Sequence, residues 1–127
     1  VAEVSVSQRG KIKVHKVTCV VDCGQIFNPH IAKQQLEGGI LYGLNATLKG
    51  EINVQGGRVV QSNFDDYPML KIKDTPEINV HLVENNDPPG GLGEAGTPLI
   101  GPAVANAVFA ATGKRVRRIP IRRKDLV

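Results

Sequence analysis

The chain has 127 residues, the size of one ordinary domain, and 41% of them are hydrophobic. No apolar run approaches the roughly 20 residues that a membrane-spanning helix requires, so no span is expected. The formal charge of +4 comes with only 4% aromatic residues, too few for a surface that stacks bases, so nucleic acid is not an expected partner.

The alternation Val1-Ala2-Glu3-Val4-Ser5-Val6 predicts a strand. Gln8-Arg9-Gly10-Lys11 supplies a turn, and Ile12 to Val21 continues with β-branched residues at alternate positions, which completes a first hairpin. A chain that opens inside a strand reads as a fragment, so any targeting segment, cytoplasmic or periplasmic, is expected in the remainder. Cys19 and Cys23 on a continued strand would share a face about 13 Å apart, beyond disulfide reach. With no further Cys or His nearby to complete a metal site, two buried, reduced thiols are expected.

Asn28 is a good N-cap and Pro29 a good first helical residue. They predict a helix running to about Lys49. Its interior carries Gly38, Gly39 and Gly43, each costing about 1 kcal/mol relative to alanine. Gln35, Gly38, Gly39 and Tyr42 fall on one face, and a bare glycine face admits another backbone or a flat ligand. Ile40, Leu44 and Leu48 form the expected core stripe opposite.

A second hairpin is expected from Glu51 to Val54 and Val59 to Asn63, turning at Gln55-Gly56-Gly57-Arg58. After an irregular stretch around Asp65, Asp66, Tyr67 and Pro68 comes an extended run, Ile78 to Val83. A loop rich in Pro, Gly and Asn follows from Asn85 to Gly96, then a helix of small residues from Pro98 to Thr112, stopped by Gly113. The expected class is α+β, β-hairpins with two packed helices. Lys114, Arg115, Arg117, Arg118, Arg122, Arg123 and Lys124 crowd the tail but alternate with Val116, Ile119, Pro120 and Ile121. That pattern fits a solvated edge or a contact with another part of a larger protein.

Gly91-Leu92-Gly93-Glu94-Ala95-Gly96 matches the glycine spacing of a dinucleotide fingerprint. That motif needs a tight turn directly off a strand, whereas Asn85 to Pro89 intervene here, and too little chain follows for a doubly wound sheet. Glu94 has two remaining readings. It is a helix-start glutamate serving the macrodipole, or a lone carboxylate placed for chemistry. Asp65 and Asp66 read as a solvated turn. His15, His30 and His81 lack ligand spacing, and no metal-ligating residue is assigned.

Several blocks in one order resemble the xanthine dehydrogenase and aldehyde oxidase superfamily of molybdenum hydroxylases. They are Asp22-Cys23-Gly24, Asn28-Pro29, Gln34-Gln35-Leu36-Glu37-Gly38-Gly39-Ile40, Gln61 to Tyr67, Gly91-Leu92-Gly93-Glu94 and Ala110 to Arg115. Within it the pattern is most similar to the β subunit of isoquinoline 1-oxidoreductase and related bacterial aldehyde dehydrogenases. The resemblance implies that residues 1–127 are a C-terminal portion of the molybdopterin-binding domain. It also implies molybdopterin cytosine dinucleotide as cofactor, a separate small [2Fe–2S] subunit and a small aromatic heterocycle or aldehyde as substrate. The family's catalytic base, a glutamate beside the molybdenum centre, falls on Glu94. Its cofactor-contacting glutamine falls on Gln35, with Gly38, Gly39 and Gly93 expected against the cofactor. Ala95 and Leu99 replace prolines common in that family, so the loop is expected to be held less rigidly. The isolated fragment is expected to be inactive. The rival reading is a small non-enzymatic module that binds an anionic partner through its basic tail.

Overall fold

The computed structural model describes residues 1–127. In chain order the elements are β1 (Ala2–Val6), β2 (Ile12–Asp22), α1 (Pro29–Leu48), β3 (Val54–Gln55), β4 (Arg58–Val59), β5 (Glu77–Val83) and α2 (Thr97–Thr112). The class is α+β as expected, and no helix is long and apolar enough to cross a membrane.

β1 and β2 form the expected antiparallel hairpin. Its register shifts between Glu3, which faces Lys16, and Val4, which faces Val14. His15 is the extra residue of this bulge, and its Nε2 lies 2.7 Å from Ser5 Oγ. The other edge of β2 is taken by β5, in parallel, from Lys16 opposite Glu77 to Asp22 opposite Val83. The sheet therefore has the order β1-β2-β5, a pairing that the extended run at Ile78 to Val83 does not announce. A parallel pair requires a long crossover, and α1 with the small β3–β4 hairpin lies inside it.

α1 begins where its capping signal says. Asn28 is extended, its Oδ1 accepts from the Ile31 N–H at 3.1 Å, and Pro29 occupies the first turn. Leu36, Ile40 and Leu44 on α1 and Ile100, Val104 and Val108 on α2 are buried, each set at the four-residue spacing that lines one helical face. All of these but Leu36 join one cluster with Val14 and Val17 of β2, and the tail closes it with Val116, Ile121 and Leu126. The basic tail is thus folded back on the body. The Ile121 N–H donates to the Thr47 carbonyl oxygen at 2.8 Å, and Arg122 pairs with Glu51. Arg115 lies 3.6 Å over the Phe109 ring.

Three expectations need correction. Leu48 is only half-buried, and the core stripe of α1 runs through Ala32, Leu36, Ile40, Gly43, Leu44 and Thr47. Gly43, within that stripe, is packed against α2. A Cβ there would stand 2.3 Å from the Thr97 carbonyl oxygen and 2.6 Å from Ile100 Cγ2, so α1 and α2 cross in near backbone contact. The second hairpin is shorter than expected, with only Val54–Gln55 against Arg58–Val59. Beyond it the Asn53 N–H donates to the side-chain Oε1 of Gln61 at 2.8 Å, which replaces one bond of the ladder. Cys19 and Cys23 are free, but each is only half-buried; Cys19 lies within β2, whereas β2 ends at Asp22 and leaves Cys23 in the following loop.

Candidate active site and family

The long loop between β5 and α2 is fixed at both ends. Because β2 and β5 are parallel, they end side by side, and the chain leaving each meets the other. Asn85 Nδ2 donates to Asp22 Oδ1 at 2.7 Å. The Gln25 N–H reaches the Asp87 carbonyl oxygen at 3.0 Å, and the Gly90 N–H reaches that of Cys23 at 2.7 Å. The Asp22-Cys23-Gly24 block and the Asn85–Gly90 stretch are therefore one structural unit.

The second half of the loop lies on α1. Gln35 Nε2 donates to the Gly93 carbonyl oxygen at 2.9 Å. Gly96 is buried, and a Cβ on it would come within 2.8 Å of Ile40 Cγ1 and 3.1 Å of the Leu36 carbonyl oxygen. Only a glycine lets the loop press so closely on the helix. Thr97 then ties both parts together. Its Oγ1 donates to the Gly39 carbonyl oxygen at 3.1 Å, and its N–H donates to the Glu94 carbonyl oxygen at 3.0 Å. Glu94 thus sits in a short turn whose two flanks, Gly93 and Gly96–Thr97, are anchored to α1.

The sequence-predicted residues separate into two groups. Gln35 and Gly93 are in direct contact, Glu94 follows immediately, and Gly38 lies one turn along the same face of α1. Gly38, Gly91 and Gly93 have open space where a Cβ would stand. Gly39 differs, for its Cβ position lies 3.3 Å from Thr97 Oγ1, so its near neighbour is α2. The Glu94 side chain is exposed. Thr97 and Gly96 were not singled out from the sequence. A threonine directly before Pro98 is a helix-start signal that would have exposed the first of them.

The acidic pair near Tyr67 is a turn, as expected. Both carboxylate oxygens of Asp66 accept from the Ser62 N–H, at 3.0 and 2.8 Å, and Oδ1 accepts from the Asn63 N–H at 3.0 Å. The Asn63 and Ser62 N–H donors hold the Asp66 carboxyl below its ordinary value of 3.8. No three His, Cys, Asp or Glu side chains come together as a set of metal ligands.

Residues 1–76 match the family model described as the molybdopterin cofactor-binding domain. The chain belongs to this family. Over 128 aligned residues it is 39% identical to a membrane-bound aldehyde dehydrogenase (pyrroloquinoline-quinone) of Gluconacetobacter polyoxogenes, covering 100% of this chain and 17% of that protein. It is 42% identical over 111 residues to the isoquinoline 1-oxidoreductase β subunit of Brevundimonas diminuta, covering 87% of this chain and 14% of the relative. Among solved structures, quinoline 2-oxidoreductase from Pseudomonas putida 86 superposes with a TM-score of 0.86 at 26% identity, over 96% of this chain and 17% of that one. The aldehyde oxidoreductase from Desulfovibrio gigas gives 0.86 at 25% identity, over 98% and 14%. The chain therefore spans about a sixth of the length of these relatives. The matched family segment carries Gln35, Gly38 and Gly39 but ends before Gly93 and Glu94.

Proposed function

We propose that this chain is part of the cofactor-binding large subunit of a molybdenum hydroxylase that oxidises an N-heterocycle or an aldehyde, with Glu94 as its catalytic base. The observation that carries the reading is the Gln35–Gly93 hydrogen bond, which sets the Glu94 loop against the open side of α1. The names of the relatives, an isoquinoline oxidoreductase and an aldehyde dehydrogenase, support the substrate class. One of those names carries pyrroloquinoline quinone. The match to the molybdopterin cofactor-binding domain favours molybdopterin here.

The residues present suit such a cofactor. Gly38, Gly91 and Gly93 leave the surface free of side-chain bulk, and Gln35, already donating through Nε2, keeps Oε1 as an acceptor beside them. Gln35, Gly38 and Gly93 would hold the cofactor's edge, and the Gly39 carbonyl, bonded to Thr97, would keep α2 in place behind it. When bound, the molybdenum centre supplies the oxidant that takes two electrons from the substrate carbon, with water as the oxygen source. Glu94 contributes a carboxylate that takes up a proton at Oε and releases it to solvent each cycle, the work of a general base. Its exposure gives the carboxylate access to both substrate and water. The cytosine dinucleotide form of the cofactor and a separate small [2Fe–2S] subunit that accepts the electrons complete the proposed assembly.

The test is Glu94→Gln in the full-length subunit. It keeps size and shape but removes the proton acceptor, which typically costs about 10²- to 10⁴-fold. Molybdenum content should be normal, and single-turnover reduction of the enzyme by substrate should be slower by about that factor. Reduction at the wild-type rate sinks the base assignment, and loss of the metal assigns Glu94 a structural role instead.

A further inference from the structure

A second site lies at the other end of α1, about 20 Å from Gln35 at the helical rise of about 1.5 Å per residue. It is a cleft of about 400 Å³ between the β1–β2 turn, the last turn of α1, the stretch before β5 and the tail. Lys11, Lys13, Lys49, Lys73 and Arg123 line it against a single carboxylate, Asp74. The chain's ion pairs are Lys16–Glu77 and Arg122–Glu51, so none of the five cations is held in an ion pair. The floor is apolar, with Val14 and Ile121 buried and Ile12, Leu48 and Leu70 half-buried.

Like charges gathered around an apolar floor repel one another and concentrate a positive field inside the cleft. A ligand that relieves this must bring several carboxylates and something apolar on one scaffold. Inorganic phosphate has no apolar part, and a simple monocarboxylate cannot answer cations that come from four separate segments. Nucleic acid would use aromatic stacking, and no aromatic side chain lines the cleft. We infer that the cleft is a docking site for an extended acidic peptide segment, its carboxylates set against Lys11, Lys13, Lys49, Lys73 and Arg123 and an apolar side chain seated between Leu48 and Leu70. This inference does not depend on the role of Glu94.

The experiment is an amide NMR titration of the chain with a short glutamate-rich peptide carrying leucines. Shifts should gather at Lys11–Val14, Leu48–Lys49 and Lys73–Thr75, and affinity should fall as salt rises. Lys13→Glu combined with Lys73→Glu should weaken binding by about tenfold or more, two surface pairs being replaced by two repulsions. Both lysines are exposed. The neutral pair Lys13→Gln with Lys73→Gln repeats the test with no carboxylate added and should weaken binding less than the reversal. Arg117→Glu, on the tail but outside the cleft, should leave affinity unchanged. Unaltered affinity in the charge-reversed variant, shifts centred on Arg117 and Arg118, or equal binding of inorganic phosphate or of a single-stranded oligonucleotide would each overturn the proposal.

Discussion

Gln35 and Gly93, 58 positions apart in the chain, are joined by a 2.9 Å hydrogen bond from the glutamine Nε2 to the glycine carbonyl oxygen. Gln35 therefore does two things at once. It faces the open side of α1, and it holds the residue next to Glu94.

Replacing Gln35 with methionine keeps length but removes the donor. The amides of Gly91 to Gly96 should then exchange with solvent faster, by up to about fivefold if one hydrogen bond of about 1 kcal/mol is lost. Hydrogen–deuterium exchange measures this. Unchanged exchange would mean that Gly96 and Thr97 alone hold the loop.

The glycines of α1 should respond in opposite directions. Gly43→Ala forces a Cβ to within 2.3 Å of the Thr97 carbonyl oxygen and should destabilise the chain by about 1–3 kcal/mol, as overpacking does. Gly38→Ala meets nothing within 4 Å and should stabilise it by up to about 1 kcal/mol through helix propensity. Urea unfolding compares the two. In the full-length subunit the same Gly38→Ala should lower molybdenum content if the open face belongs to the cofactor. Normal content would remove Gly38 from that role.

Gly39→Leu probes the intermediate case. Thr97 Oγ1 lies 3.3 Å from the Gly39 Cβ position, so the larger side chain must displace the start of α2 and Glu94 with it. Lower cofactor loading or a disturbed fold is expected in the full-length subunit. Unchanged molybdenum content and activity would show that α2 can shift without consequence.

The turn from Ser62 to Tyr67 should respond to acid. The Asp66 carboxyl is held below 3.8 in the folded chain, so its bonds to Ser62 and Asn63 are fully present above that value. They should be lost as the pH falls below it, through the lowered folded pKa. Amide shifts of Ser62 and Asn63 followed against pH report the transition. A midpoint above 3.8 would contradict the arrangement.

Expressed alone, the chain should contain no molybdenum, because one helix face and one loop are a small part of the proposed cofactor site, and the relatives are about six times longer than this chain. Elemental analysis of the purified chain decides it. Stoichiometric metal would contradict both this expectation and the proposal that the chain is one part of a larger subunit.

Much of the fold was legible because its signals are local. Asn28-Pro29 and Gly113 mark helix ends through caps that act within a few residues, and the β1–β2 hairpin carries its own alternation. The pairing of β2 with β5 was not legible. A short apolar run declares a strand but not its partner, and 54 residues lie between the end of β2 and the start of β5. The same limit applied to the glycines of α1. Their spacing showed that something approaches closely, but only the fold reveals that α2 approaches Gly39 and Gly43 while Gly38 stays open. Thr97 was overlooked because its two bonds, to Gly39 and Glu94, exist only once the helices have packed.

The parallel β2–β5 pairing also governs how the chain can be divided. A polypeptide ending at residue 76, where the family match stops, would keep the first hairpin and α1 but lose β5, which begins at Glu77. One side of β2 from Lys16 to Asp22 would then be an uncovered strand edge, a template for pairing with other chains. The same cut removes α2 and the tail, and so strips the cover from Ile40 and Leu44. The cut that sequence similarity suggests is thus one that invites aggregation, whereas a boundary beyond Leu126 keeps the last buried side chain of the tail that closes the core.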